Sequence, residues 1–328
     1  MLFIITNKFK FKLLFIFIFI LFILFFNYKI KDIIIKRKIF SSSDFYPNII
    51  SNSNLTRKEE KDIILLKGRK YLDKCLNSQD NIFHQNNEKP EITTIIPSYN
   101  CEKTINSAIY SVQYQNFTNF EIIIVDDFSN DKSKEIIKNI QLTDKRLKLI
   151  ENKKNMGTLY SRCIGALLSK GKYIFCLDND DLFFDEDVFE HAYNKSIKNN
   201  LDILSFRALY INNYFDGISK MKDFHFFNIK NNLFLSQPDL GIWTLTLNGK
   251  YRMHNNMIWS KAIKTDIYKK VVNMLGINRY SKYVCWAEDT SINFIIFNIA
   301  SSFRYIYKLG YMHVVRKSTA TYSQSKNL

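Results

Sequence analysis

Between residues 92 and 177, four short, nearly continuous apolar runs alternate with segments of helical spacing, and this alternation restricts the fold more than any other feature of the chain. Ile92–Pro97, Phe120–Val125, Arg146–Ile150 and Tyr173–Leu177 read as strands. Thr104–Gln113, a segment running to Ile140 that Ser129 or Asp131 could cap, and Thr158–Ser169 read as the helices between them. Strands apolar on both faces and joined by helices of about ten residues imply right-handed βαβ units around a buried parallel sheet. In such sheets ligands bind at the carboxyl ends of the strands. Two of the four strands end in aspartates, Asp126-Asp127 and Asp178-Asn179-Asp180-Asp181, and the first ends in Pro97-Ser98-Tyr99-Asn100.

Three carboxylates within four residues repel one another, and a bound cation or solvent offsets that repulsion. The 178–181 cluster can be a divalent-metal site or the acidic start of the helix read over Asp187–Lys198. It is not an EF-hand loop, because Phe183 stands where the glycine is required and Phe189 where the bidentate glutamate is required. Asp127 can accept a hydrogen bond from a base or ribose, or simply close a turn. Tyr99 can stack on a base or pack. Glu288-Asp289 can cap a helix over Asp289–Ala300, or supply a general base if the fold brings it to the strand ends.

Other functions lack their signatures. The nine glycines form neither GxGxxG nor GxxxxGK[ST], which excludes the usual dinucleotide and P-loop sites. The five cysteines contain no CxxC pair and the five histidines no i, i+4 pair, so a zinc site is not expected. Cys163 and Cys176 read as small core residues. The net charge of +16 invites a nucleic-acid reading, but residues 1–40 carry +7 of it and the remainder is interleaved with acids. Without a recognisable nucleic-acid-binding motif, no nucleic-acid partner is expected.

The organisation is read as a basic tail (1–12), a membrane anchor (13–28), a stem or linker (29–89), a catalytic domain (90–316) and a polar tail (317–328). Leu13–Phe26 contains only Leu, Ile and Phe, and sixteen residues to Tyr28 span roughly 24 Å as a helix. With no small-residue cleavage site after it, an uncleaved signal anchor is expected. A type II layout would place the domain in the lumen of the Golgi or ER, although Lys29, Lys31, Lys36, Arg37 and Lys38 leave a cytosolic orientation open. Within the stem, 57–75 has helical spacing. Past the domain's first half, Ile203–Phe206 and Tyr305–Lys308 read as strands and Trp259–Met274 as a helix.

Ile96-Pro-Ser-Tyr-Asn100, Phe120-Glu-Ile-Ile-Ile-Val-Asp-Asp127, Asn155-Met-Gly-Thr-Leu-Tyr-Ser-Arg162, Gly171-Lys-Tyr-Ile-Phe-Cys-Leu-Asp-Asn-Asp-Asp181 and Glu288-Asp289 occur in an order and spacing that resemble the family 2 glycosyltransferases. The resemblance is close over 91–210 and looser to about 316. It implies a GT-A fold with a mainly parallel central sheet, a nucleotide-sugar donor (often UDP-linked), a divalent cation (Mn²⁺ or Mg²⁺), and inversion at the anomeric carbon. The acceptor would be a glycan, lipid or protein. By the same resemblance Pro97, Tyr99, Asp126 and Asp127 line the nucleoside pocket, and Arg162 faces the donor phosphates or ribose. Asp178 and Asp180 form the DXD motif with Asp180 as direct metal ligand, while Asp181 only caps. His313 falls at a C-terminal ligand position, and Asp289 is the general base with Glu288 beside it. The chain departs from the pattern at Phe128, where a glycine is usual, and at Cys163, where an asparagine is frequent. The QxxRW motif of processive synthases is missing, which implies single-sugar transfer. The competing reading is a catalytically inactive carbohydrate-binding protein on the same fold.

Overall fold

The computed structural model describes residues 66–67, 70–75, 89–212, 220–224, 234–237, 257–277 and 288–315. The anchor assigned to 13–28 and the tail at 317–328 lie outside these residues. Among the described residues no helix is long and apolar enough to cross a membrane.

Strand β1 (Ile92–Ser98) is followed by α1 (Ile105–Gln113), β2 (Phe120–Asp126), α2 (Ser133–Thr143), β3 (Leu147–Glu151), α3 (Thr158–Leu168) and β4 (Tyr173–Cys176). Then come β5 (Leu182–Phe183), α4 (Val188–Lys198), β6 (Ile203–Asn212), β7 (Lys220–Phe224) and β8 (Phe234–Ser236). The last elements are β9 (Lys261–Lys264), α5 (Thr265–Leu275), α6 (Glu288–Ile299) and β10 (Ser302–Val315). The strand order is β3-β2-β1-β4-β9-β6-β10-β5, with β7 on β6 and β8 on β10.

The first four strands pair in parallel, as their apolar runs imply. The whole sheet is mixed, with antiparallel strands added to a largely parallel path. β9 runs antiparallel between β4 and β6, and β5, β7 and β8 also pair antiparallel. The helix expected over Trp259–Met274 begins only at Thr265, because Lys261–Lys264 hydrogen-bonds to two strand edges. The short strand expected at Tyr305–Lys308 is the middle of fourteen-residue β10, which runs parallel to β6 with register shifts between Ile306 and Tyr311.

Period-two alternation divides the core between the sheet's faces. Ile92, Ile96, Ile122, Ile124 and Phe175 pack with Ile109, Val112, Ile137 and Phe189 from α1, α2 and α4. Ile95, Ile174 and Cys176 pack with Cys163, Val271 and Ile296 from α3, α5 and α6. Fully burying one such side chain stabilises the fold by about 1.5–3 kcal/mol. A third cluster joins Tyr71, Leu72 and Cys75, in a stretch read from sequence as stem, to Leu182, Leu309, Met312 and Val314. Lys67 pairs with Asp185 at 2.8 Å and Lys74 with Glu186 at 2.7 Å, so these residues dock on the domain rather than lead loosely into it.

Candidate active site

In-register pairing of β1 with β2 sets Ser98 beside Asp126 at the carboxyl ends of both strands. Asp126 is fully buried and accepts hydrogen bonds from the Ser129 N–H (3.0 Å), the Ser129 hydroxyl (2.6 Å) and the Ser98 hydroxyl (3.3 Å). Ser129 therefore serves Asp126 rather than α2, and the Ser133 N–H at the start of that helix bonds Asp131 instead. Asp127, 4% exposed, accepts from Asn152 Nδ2 and the N–H groups of Met156 and Gly157 at 2.7–2.8 Å. These bonds hold the loop before α3, where Gly157 has a φ of 89° that favours glycine. Phe128, at the position usually glycine, also adopts a positive φ (69°) with its ring half exposed. Tyr99 stands open to solvent, and buried Pro97 offers its carbonyl to Asn179 Nδ2 at 2.9 Å, tying β1 to the acidic loop.

That loop leaves β4 and is held from below by aromatic packing. Phe183 lies 4.9 Å from Phe189 in edge contact, and Phe175 lies 4.9 Å from Phe189. Asp178 and Asp180 remain partly accessible, whereas Asp181 is buried. Asp181 accepts from the Tyr311 hydroxyl (2.8 Å) and the Val314 N–H (2.8 Å), and lies 2.9 Å from His313 Nδ1. The Tyr311 hydroxyl in turn accepts the Asp178 N–H at 3.2 Å. Asp181 is thus the bond between the acidic loop and β10, which corrects its expected role as a cap. Trp259 lies flat on Tyr311 and His313, at centroid distances of 4.7 and 5.5 Å. Burial works against the His313 imidazolium, but the Asp181 carboxylate beside it, with Asp178 and Asp180 nearby, raises its pKa to about 9.

Arg162 joins the distant parts of the site. Its guanidinium, 3% exposed, donates from one arm to Asp178 at 2.5 Å and from the other to Glu288 at 2.9 Å and to Asp289. The resemblance directs Arg162 toward a donor; here the arginine draws the DXD motif and the Glu288-Asp289 pair into one cluster. Asp289 also accepts the Ile258 N–H at 3.2 Å. Burial pushes its carboxyl up to about 7; Arg162 opposes that rise, while Asp178 and Glu288 add to it. A carboxyl that titrates near neutrality beside an accessible edge suits proton transfer.

A divalent cation can be tested against these donors. Among the described residues no three His, Cys, Asp or Glu side chains converge as a complete ligand cage. A hard cation that takes one or two carboxylates and completes its shell with phosphate oxygens needs no such cage. Asp180 fits as that carboxylate. His313 fits as a ligand once it gives up the proton on Nε2, with Asp181 holding Nδ1 as carboxylates commonly hold metal-binding imidazoles. Sequence reasoning missed Trp259 and Lys261, both hidden inside an apparent helix, and Tyr311, which carries no motif of its own.

The comparisons with known proteins agree with this geometry. Residues 93–260, just over half the chain, match the model of glycosyl transferase family 2. An uncharacterised glycosyltransferase of Haemophilus influenzae is 43% identical over 112 residues, 34% of this chain and 44% of that protein. The UDP-Glc:alpha-D-GlcNAc-diphosphoundecaprenol beta-1,3-glucosyltransferase WfgD of Escherichia coli is 32% identical over 122 residues, 37% of this chain and 47% of that protein. The chain thus spans less than half the length of these curated relatives. The crystal structure of Staphylococcus aureus TarS 1-349 in complex with UDP-GlcNAc superposes with a TM-score of 0.54 at 20% identity, covering 70% of this chain and 60% of that one. That likeness establishes the shared fold. With more than half of the chain inside the family's pattern, this protein belongs to glycosyl transferase family 2.

Proposed function

We propose that this chain is an inverting, metal-dependent glycosyltransferase that moves one sugar from a nucleoside-diphosphate donor, UDP-linked, to a hydroxyl on a glycan, lipid or protein acceptor. The observation that carries this reading is the gathering of Asp178 and the Glu288-Asp289 pair, over a hundred residues apart in sequence, around the guanidinium of Arg162. Donor recognition falls to the carboxyl ends of β1 and β2, where Tyr99 offers an exposed ring for a base. There Asp126 and Asp127 set the loop geometry of the pocket wall. Asp178 and Asp180, with His313, would hold Mn²⁺ or Mg²⁺, which supplies charge neutralisation for a departing diphosphate.

Asp289, partly accessible at 22% of its side chain, takes the acceptor hydroxyl proton. The freed oxygen then forms its bond to the anomeric carbon from the face opposite the nucleoside diphosphate, which leaves with the bonding electron pair. Arg162 fixes the base in place, and Glu288 shares the same arm of the guanidinium. The N-terminal apolar run at 13–28 would tether this chemistry to a membrane, in the type II arrangement of a Golgi or ER enzyme. UDP support comes from the named donor of WfgD and the UDP-GlcNAc bound to TarS.

The test is release of nucleoside diphosphate from a panel of nucleotide sugars with Mn²⁺, using the wild-type chain and Asp289→Asn. The expected outcome is turnover of at least one donor, lost about 10²–10⁴-fold in Asp289→Asn with UDP binding retained. No turnover of any donor by the wild-type chain, or full turnover by the variant, defeats the proposal.

A further inference from the structure

Lys261, at the start of β9, is fully buried, with 1% of its surface exposed. Removing a lysine amine from water is costly unless the amine has polar work to do, and a methionine would fill the same space. Its Nζ donates to the carbonyl of Met257, four residues back. The N–H on the other side of that same peptide bond, from Ile258, donates to Asp289 Oδ2 at 3.2 Å. One peptide unit therefore stands between the two side chains, its oxygen facing the amine and its N–H facing the carboxylate. An amine on the carbonyl draws electron density toward oxygen and strengthens the N–H as a donor, as in any hydrogen-bonded chain. The turn is held firmly: Ser260 has a left-handed φ of 54°, and its carbonyl accepts the Phe206 N–H at 3.1 Å.

We infer that Lys261 is a positioning residue for Asp289, acting through the peptide unit that joins Met257 to Ile258. The inference rests on the assignment of Asp289 as general base. The charged and titratable groups facing Asp289 are Arg162 from α3, Asp178 beyond β4, Glu288 on α6 and Lys261 on β9. Cys176 of β4, with Tyr268 of α5 behind it, faces Lys261. Burial drives the Lys261 amine down to about 7, and the Asp289 charge opposes that fall. Removing the amine weakens the Ile258 N–H as a donor, so the Asp289 carboxylate is less favoured and its midpoint rises.

The test compares the full wild-type chain with Lys261→Met, Lys261→Gln and Asp289→Asn. One readout is a carbon-13 NMR titration of labelled aspartate carboxyls, in which the Asp289 resonance is the one lost in Asp289→Asn. The other is turnover of whichever UDP-sugar the wild-type chain hydrolyses fastest, together with UDP affinity. Lys261→Met should move the Asp289 midpoint to higher pH, shift the acid limb of kcat the same way, and lower kcat roughly ten- to a hundredfold at unchanged UDP affinity. Lys261→Gln, which keeps a neutral donor, should fall between; if Lys261→Met does not fold, this variant alone carries the comparison. An unchanged Asp289 midpoint and pH profile would overturn the inference while leaving the base assignment standing. Turnover that survives in Asp289→Asn would sink the base assignment itself.

Discussion

Replacing Arg162 with methionine removes the guanidinium while keeping most of its volume, and the consequence should depend on pH in a definite direction. Three carboxylates, with side chains 26%, 12% and 22% exposed, would then face each other without their shared countercharge. Breaking a fully buried ion pair costs about 3–5 kcal/mol; water reaching these partners reduces that to about 2–4 kcal/mol at pH 8. For a domain of this size that is a fall in Tm of roughly 5–10 °C. The folded-state pKa of Asp289 is already raised to about 7, above the unfolded carboxylate value. The stability this shift contributes is therefore fully present near pH 4 and is lost as pH rises through 7. Because Arg162 opposes the rise, the variant's Asp289 titrates higher still, and it stays protonated over more of the range. The deficit relative to wild type should accordingly shrink at pH 5.5 and grow at pH 8. Urea unfolding midpoints at the two pH values measure this. A deficit equal at both, or none at pH 8, would refute the account of Arg162 as the cluster's countercharge.

Two glycines should differ in their tolerance of alanine. At Gly171 a Cβ would lie 2.5 Å from the Ile92 carbonyl carbon and 2.6 Å from the Thr93 nitrogen, backbone that cannot yield, so Gly171→Ala should cost about 3 kcal/mol or more by thermal unfolding. At Gly165 the obstacle is the Ile95 side chain at 2.5 Å, which can change rotamer, so Gly165→Ala should cost about 1–2 kcal/mol. Phe128→Gly should raise stability by roughly 1 kcal/mol, because it relieves a left-handed φ at the cost of a ring already half in solvent; a lower Tm would show that the ring has packing work to do.

How legible these features are in the sequence follows from whether they are local. Strands β1, β2 and β4 announce themselves because both of their faces are buried, which forces the unbroken runs Ile92–Pro97, Phe120–Val125 and Tyr173–Leu177. β9 does not. Lys261-Ala-Ile-Lys264 is acceptable in a helix, and only its pairing to β4 on one side and β6 on the other makes it a strand. β10 reads as two fragments because Gly310 interrupts it, and that glycine is needed where a Cβ would lie 2.5 Å from the Phe206 ring. In the site, the acidic residues are visible as motifs, but their division of labour is not. Asp181 and Asp180 are neighbours in sequence, yet one is buried against β10 and the other partly accessible, a distinction made by Tyr311, His313 and Val314, 130 to 133 residues away. Lys261 is invisible for a different reason, since the Met257 carbonyl it serves is backbone and carries no motif.

On the proposed function, the charge balance of the assembled site would constrain how an anionic donor enters it. Asp178, Glu288 and Asp289 share the Arg162 guanidinium, Asp180 is partly accessible in the same loop as Asp178, and His313 is already matched by Asp181. A diphosphate approaching these carboxylates meets like charges; at 5 Å each unit pair costs roughly 3 kcal/mol with the screening typical of a protein surface. The site has two ways to lower that cost, and they use different residues. Protonation of Asp289 would remove one charge near neutrality, but a protonated Asp289 could not act as the proposed base, so relief by this route would come at the expense of the proposed chemistry. Countercharge supplied at Asp180 would relieve the repulsion without touching the proposed base. A site that must bind an anionic donor and keep Asp289 ionised is therefore better served by the second route. Asp178 of the acidic loop and Asp289, the proposed base, bind opposite arms of the Arg162 guanidinium, an arrangement that would keep the two roles apart.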